Sequence, residues 1–190
     1  MKKKILAAVL SVCLLLPLCA CGKGAKKTET GSFEGTSSQL VIALRKDLVY
    51  YGYEDMFQED PEPEAIPESG NAPEGLCRRY LTQGISFEVY SLKETDEVYE
   101  AILKADKNAL ATQKDQEALT LMIDLVTDAF EQKEREELFE ALSLPDVNDG
   151  IDKQAKGTIA DWKYSVVDGQ LVLRATSLEY LESTADKSGS

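Results

Sequence analysis

Four aromatic side chains are the residues of this sequence best suited to hold a ligand: Tyr50, Tyr51 and Tyr53, which lie close together in the chain, and Trp162, its single tryptophan. Such rings bring contact area for stacking on a sugar or a peptide with little rotamer entropy to lose, although packing in a core or on a strand face is their commoner use. Covalent and imidazole chemistry is far more restricted. The chain has no histidine, so neither a Ser-His-Asp nor a Cys-His relay can form, nor an imidazole-ligated zinc or non-haem iron site. No Ser-x-x-Lys occurs either, which removes the serine–lysine arrangement. Carboxylates are plentiful, at 34. Two carboxyls about 5 to 10 Å apart suffice for glycoside hydrolysis, so a carboxylate-based cell-wall glycan hydrolase is the alternative reading of function. Any chain this acidic holds such pairs by chance.

Two acidic stretches invite a cation. In residues 146–152 (Asp-Val-Asn-Asp-Gly-Ile-Asp), placing Gly150 at the sixth position of a calcium loop puts Pro145, Val147 and Lys156 at the first, third and twelfth, and none of them is a usable ligand. Turn chemistry after a helix accounts for these residues. Residues 54–75 hold eight acids and no base, with Pro61, Pro63, Pro67 and Pro73 excluding a regular helix or a central strand. Like charges and proline predict an exposed, extended loop. A mobile loop loses entropy when it gathers ligands, so neither a metal site nor a cofactor is expected.

The N-terminus is more specific. Lys2, Lys3 and Lys4 precede an uncharged apolar run from Ile5 to Ala20, the plan of a secretory signal. Sixteen residues interrupted by Pro17 fall short of the roughly 20 that span a bilayer. The run closes on Leu18-Cys19-Ala20-Cys21, which resembles the lipobox of bacterial lipoprotein precursors. That resemblance covers residues 1–21 and implies cleavage after Ala20, a diacylglyceryl lipid on the Cys21 thiol, and a protein held to the outer face of the cell membrane. Two acyl chains give stable anchoring where one gives only marginal binding. Residues 1–20 are thus expected to be a signal peptide and 21–37 a lipidated flexible tether, with Lys23, Lys26 and Lys27 near the headgroups.

Loss of Lys2, Lys3 and Lys4 with the leader takes the net charge from −13 to −16. Such a charge argues against nucleic acid, whose recognition needs basic patches. With Cys13 and Cys19 also removed and Cys21 acylated, Cys77 is the one remaining thiol. An intramolecular disulfide is then impossible, and the domain must rest on its core. Cys77 itself reads as a small residue buried in a strand.

These residues must be positioned by one domain of ordinary size, expected over 38–183. Leu40–Leu44 reads as a strand buried on both faces and Leu48–Tyr53 as a second strand. Leu76–Leu81 and Ile85–Ser91 read as strands, the latter with Ile85, Phe87 and Val89 on one face and Glu88 and Tyr90 on the other. Ser91 and Glu94 match a capping box ahead of Val98, Ala101, Ile102 and Ala105, which predicts a helix. A second box, Thr112 with Asp115, opens a stripe of Leu119, Met122, Ile123, Val126 and Phe130 that continues through Leu138, Ala141 and Leu142. Glu131, Lys133, Glu134, Arg135 and Glu136 form its solvated face.

Thr158–Val167, Asp168-Gly169 and Gln170–Thr176 form the strongest hairpin signal, with Val166 opposite Leu171, Tyr164 opposite Leu173 and Trp162 opposite Ala175. Thr176 with Glu179 then predicts a short helix, and residues 184–190 a frayed tail. The expected fold is α+β: a mostly antiparallel sheet with two main helices on one face and a C-terminal β-hairpin. The leading functional expectation is a membrane-anchored, non-enzymatic binding or protein-interaction module. Its expected partners are the lipid bilayer and a cell-wall component or exported protein.

Overall fold

The C-terminal hairpin forms in the predicted register. Strand β6 (Ala160–Val167) pairs with β7 (Gln170–Ser177), placing Val166 against Leu171, Tyr164 against Leu173 and Trp162 against Ala175. Asp168 and Gly169 turn with φ of 52° and 76°, the positive pair that a tight hairpin of native twist requires. The computed structural model describes residues 35–69, 72–131 and 135–186. The leader, Ala20, Cys21, most of the expected tether, Lys133, Glu134 and the last four residues of the tail lie outside them.

Around this hairpin an α+β fold is built on a seven-stranded antiparallel sheet of order β1-β2-β3-β4-β7-β6-β5. Its other strands are β1 (Glu64–Ile66), β2 (Gly75–Thr82), β3 (Ile85–Leu92), β4 (Val98–Asp106) and β5 (Ile151–Lys156). Helices α1 (Ser37–Tyr50), α2 (Gln113–Phe130) and α3 (Arg135–Leu142) contribute to a single core with one face of the sheet. Helix α4 (Leu178–Asp186) follows β7. The core joins Val41, Leu44 and Leu48 of α1 and Leu119, Met122, Ile123 and Val126 of α2 to Phe87, Val89, Leu103, Leu173 and Trp162 of the strands.

Two elements exchange their expected types. The run Leu40–Leu44, read as a strand, lies within α1, and Leu48–Tyr53 forms its last turn and the bend after it. The cause is a capping box at Thr36: Gln39 N–H donates to the Thr36 hydroxyl, and Gln39 Oε1 accepts from Thr36 N–H. Val41, Leu44 and Leu48 then fall on one helical face. The domain therefore includes Gly35 and Thr36, inside the expected tether: Gly35 O accepts from Val98 N–H, and Thr36 bridges Glu97.

Conversely, Val98–Ala105, read as a helix, is strand β4 at the centre of the sheet. A central strand buried on both faces gives a nearly continuous apolar run, which also satisfies helical spacing. The supposed cap at Ser91 belongs instead to the β3–β4 turn, where its hydroxyl donates to Asp96.

The long stripe from Leu119 to Leu142 is split, with α2 ending at Phe130 and α3 starting at Arg135. Helix α4 is capped by Ser177, whose hydroxyl accepts from Tyr180 N–H, because Thr176 is still in β7 and bonded to Glu100. It runs to Asp186, past the point where fraying was expected.

The acidic segment 54–75 is not wholly an exposed loop. Met56 and Phe57 are buried in the core, and Arg45 holds the segment from outside it, donating to the carbonyls of Phe57 and Glu59 and pairing with Asp60 at 2.9 Å. Its proline-flanked β1 occupies the sheet edge, where proline is tolerated.

Candidate functional site

The four nominated aromatics do not converge. Trp162 is fully buried, at 0% exposure, between the sheet and the helices. Tyr50 and Tyr51 lie on the surface at the end of α1 with their rings edge to face at 5.1 Å. Tyr53 alone borders a hollow, of about 270 Å³, shared with Met56, Thr82, Ile85, Lys114 and Asp115. The Lys114 ammonium lies 5.5 Å from the Tyr53 ring, a cation–π contact. Burial and then Glu117 push the Tyr53 phenol upward, so it remains a neutral donor.

A larger feature emerges from the strand register. Opposite the core, the sheet presents a second face on which Arg79, Glu88, Ile102, Arg174, Lys163 and Gln154 form one row across β2, β3, β4, β7, β6 and β5. A parallel row holds Cys77, Tyr90, Glu100, Thr176, Asp161 and Lys156. At the end of that row Tyr180 of α4 stacks on Tyr99 at 4.2 Å, and Tyr99 lies beside Tyr90.

Glu88 is the centre of this face. Its side chain is 3% exposed, yet it accepts from Arg79 Nε at 2.9 Å, from Lys104 Nζ at 2.8 Å and from the Tyr90 hydroxyl at 3.0 Å. Burial alone would raise the carboxyl, but the bonds from Lys104, Arg79 and Tyr90 outweigh it and hold Glu88 below the usual carboxylate range. The cations stay wetter, Arg79 at 51% and Lys104 at 43%. The pattern recurs in β4 and β7, where Arg174 lies 3.8 Å from the more buried Glu100. The middle of this face therefore shows guanidinium and ammonium groups to solvent above sunken carboxylates, on a chain that is acidic overall.

Cys77 is buried in β2, as expected. Burial pushes its thiol upward against the lowering effect of a hydrogen bond with Tyr90. It is therefore a packed thiol rather than an activated nucleophile.

Sequence reasoning placed Glu88 and Tyr90 on the correct side of β3 but missed the cluster they build. Its signal is the turn at Gln83-Gly84, with φ of 23° and 81°, which brings Arg79 opposite Glu88. Compared with known families and proteins, the chain stands apart: no family model matches it, and neither a curated protein nor a solved structure shows significant similarity.

Two other polar clusters serve the architecture. Asp96 accepts from Arg78 at 2.7 Å and from the hydroxyls of Ser37 and Ser91, each at 2.8 Å. This ties the first turn of α1 to β2 and to the β3–β4 turn. Glu131, expected on a solvated face, is buried, and its Oε2 accepts from Thr158 N–H at 2.6 Å.

The carboxyls poised above their ordinary range are elsewhere. Asp47 of α1 is raised by burial and then by Asp128 of α2, and Asp128 by burial. Neither borders the hollow at Tyr53. In the turn after α3, Asp146 Oδ1 accepts from Asn148 N–H at 3.0 Å and Asp149 Oδ1 from Gly169 N–H at 2.9 Å, which is the turn chemistry expected there.

Proposed function

We propose that this chain is an extracytoplasmic lipoprotein, cleaved after Ala20 and anchored through lipid on Cys21, whose domain is a non-enzymatic binding module. The observation that carries the anchor is the sequence Leu18-Cys19-Ala20-Cys21 at the end of a basic, then apolar, leader. Among the described residues no helix is long and apolar enough to cross a membrane, so the anchor would be the link to the bilayer. The binding reading draws on the open sheet face. Arg79, Lys104 and Arg174 offer donors held in register by Glu88 and Glu100, suited to acidic or hydroxyl-rich groups of a wall component or an exported protein.

The anchor is tested by Cys21→Ser in the intact precursor. The expected result is an uncleaved or released protein. A Cys21→Ser protein that is still cleaved, and still in the membrane after a carbonate wash, overturns the anchor.

Among the described residues, the glycan-hydrolase alternative finds its foothold in Asp47 and Asp128, whose carboxyls are raised. Reducing-end release from purified cell wall, abolished by Asp47→Asn, replaces the binding reading with that enzyme.

A further inference from the structure

Helix α1 is apolar on two sides. Val41, Leu44 and Leu48 face the core, while Ile42, Val49 and Tyr50 remain 51%, 52% and 77% exposed. With Lys46, which is also exposed, these three fall at helical spacing on the outer surface. Tyr51 continues the stripe at the C-cap. A surface helix ordinarily turns a polar side to water, so three large apolar side chains at half exposure or more on one outer stripe form a patch that suits a second covering.

We propose that this outer stripe of α1 rests in the headgroup layer of the bilayer that holds the Cys21 lipid. The inference depends on the lipoprotein reading. Three observations select the membrane as the occupant. The first is where the chain enters: Gly35, next to the α1 cap, is 14 residues after Cys21, so α1 cannot stand further than about 50 Å from the lipidated residue.

The second is charge. Helix α1 has one acid, Asp47, beside Arg45 and Lys46, whereas α2 and α3 carry Asp115, Glu117, Asp124, Asp128, Glu136, Glu137 and Glu140 against Lys114 and Arg135. An anionic surface repels those helices and admits α1.

The third is size and composition. A stable dimer covers about 800 Å² on each partner, far more than three half-exposed side chains supply. A tethered helix needs little intrinsic affinity, because its effective concentration at the surface is already high. Paired tyrosines beside a lysine also suit the interfacial layer. With α1 lying on the bilayer, the row of Arg79, Glu88 and Arg174 on the opposite side of the sheet points outward, toward partners.

The test uses the lipidated full chain in phosphatidylcholine–phosphatidylglycerol vesicles, in a Cys77→Ala background, with an environment-sensitive dye on Val49→Cys or on Lys163→Cys. Quenchers carried on the lipids should dim the dye at 49 several-fold more than at 163. Ile42→Gln with Tyr50→Gln should remove that difference without changing the circular dichroism of the fold. Equal quenching at both sites in protein that still floats with vesicles overturns the docking and leaves the anchor intact. Protein that does not float at all removes the anchor, and the docking with it. A dye at 49 that becomes shielded without vesicles as protein concentration rises assigns the stripe to a second copy and overturns the proposal.

Discussion

The two faces of the sheet use opposite physics. Toward the helices, Phe87, Val89, Leu103, Leu173, Tyr164 and Trp162 are buried with apolar neighbours, and the stabilisation is non-directional, roughly proportional to the area removed from water. On the other face Glu88 is almost as deeply buried, but among Arg79, Lys104 and Tyr90. There the stabilisation depends on geometry, since a sunken carboxylate is tolerated only while its donors stay in place. The covered face is therefore a matter of volume, and the open face a matter of register. Such a face can be polar, ordered and available to a partner at the same time.

The largest expected effect belongs to the covered face. Trp162→Ala should cost about 4 kcal/mol through lost transfer and a residual cavity, read as a lower midpoint in urea with an unchanged slope. On the open face Glu88→Gln keeps the shape and removes the charge, leaving Arg79 and Lys104, both half-exposed, to be screened by solvent. A loss of about 2 kcal/mol is expected, from charge-assisted hydrogen bonds that become neutral ones.

The two losses differ in pH dependence. The folded Glu88 carboxyl is held below its ordinary value, so its stabilisation is in place above the unfolded value and disappears as pH falls through the folded one. The difference between wild type and Glu88→Gln should therefore shrink in acid, while that for Trp162→Ala stays flat. Equal acid dependence for both variants would break the distinction between the faces.

That distinction also explains what was legible in the sequence. Alternation and the Asp168-Gly169 turn gave the β6–β7 register residue by residue, because a two-residue turn leaves one pairing that puts Trp162, Tyr164 and Val166 on the same face. Thr112 with Asp115 marked α2 for a similarly local reason. The same box at Thr36 and Gln39 does not decide the element by itself, since the apolar run after it suits a doubly buried strand as well as a helix with two apolar sides. The exchange at Val98–Ala105 has the mirror-image cause: a central strand has no polar face to betray its period. The Glu88 cluster was out of reach for a different reason, as Lys104 meets Glu88 only once β4 is recognised as a strand. The four aromatics were sorted by burial, which depends on long-range packing that no local spacing specifies.

Gly157 tests the tightness of the covered face where it borders buried charge. A Cβ built there would collide with Glu131 Oε2 and lie 3.1 Å from Trp162 Nε1. Gly157→Ala must displace the carboxylate that accepts from Thr158 N–H, and a cost of about 2 kcal/mol is expected in chemical denaturation. If Gly157→Ala is neutral, Glu131 is not held there, and its burial is incidental to the stability of β6.

The smallest effect has the opposite sign and lies on the outer side of the helical layer. The Asp47 carboxyl is raised by burial and then by Asp128, so the folded state holds its proton more tightly than the unfolded chain does. Its contribution to stability is greatest below the unfolded value and is lost as pH rises through the raised folded one. As pH rises, the carboxylate form meets burial and the Asp128 charge in the folded state but not in the unfolded one. Asp47→Asn should then stabilise by about 0.5 kcal/mol, a figure kept small because solvent screens the pair. In acid, where Asp47 is protonated, the gain should vanish. A gain that persisted at low pH would point to hydrogen bonding by the new amide, and a loss at neutral pH would mean that Asp47 is held by its neighbour Lys46 more strongly than it is repelled by Asp128.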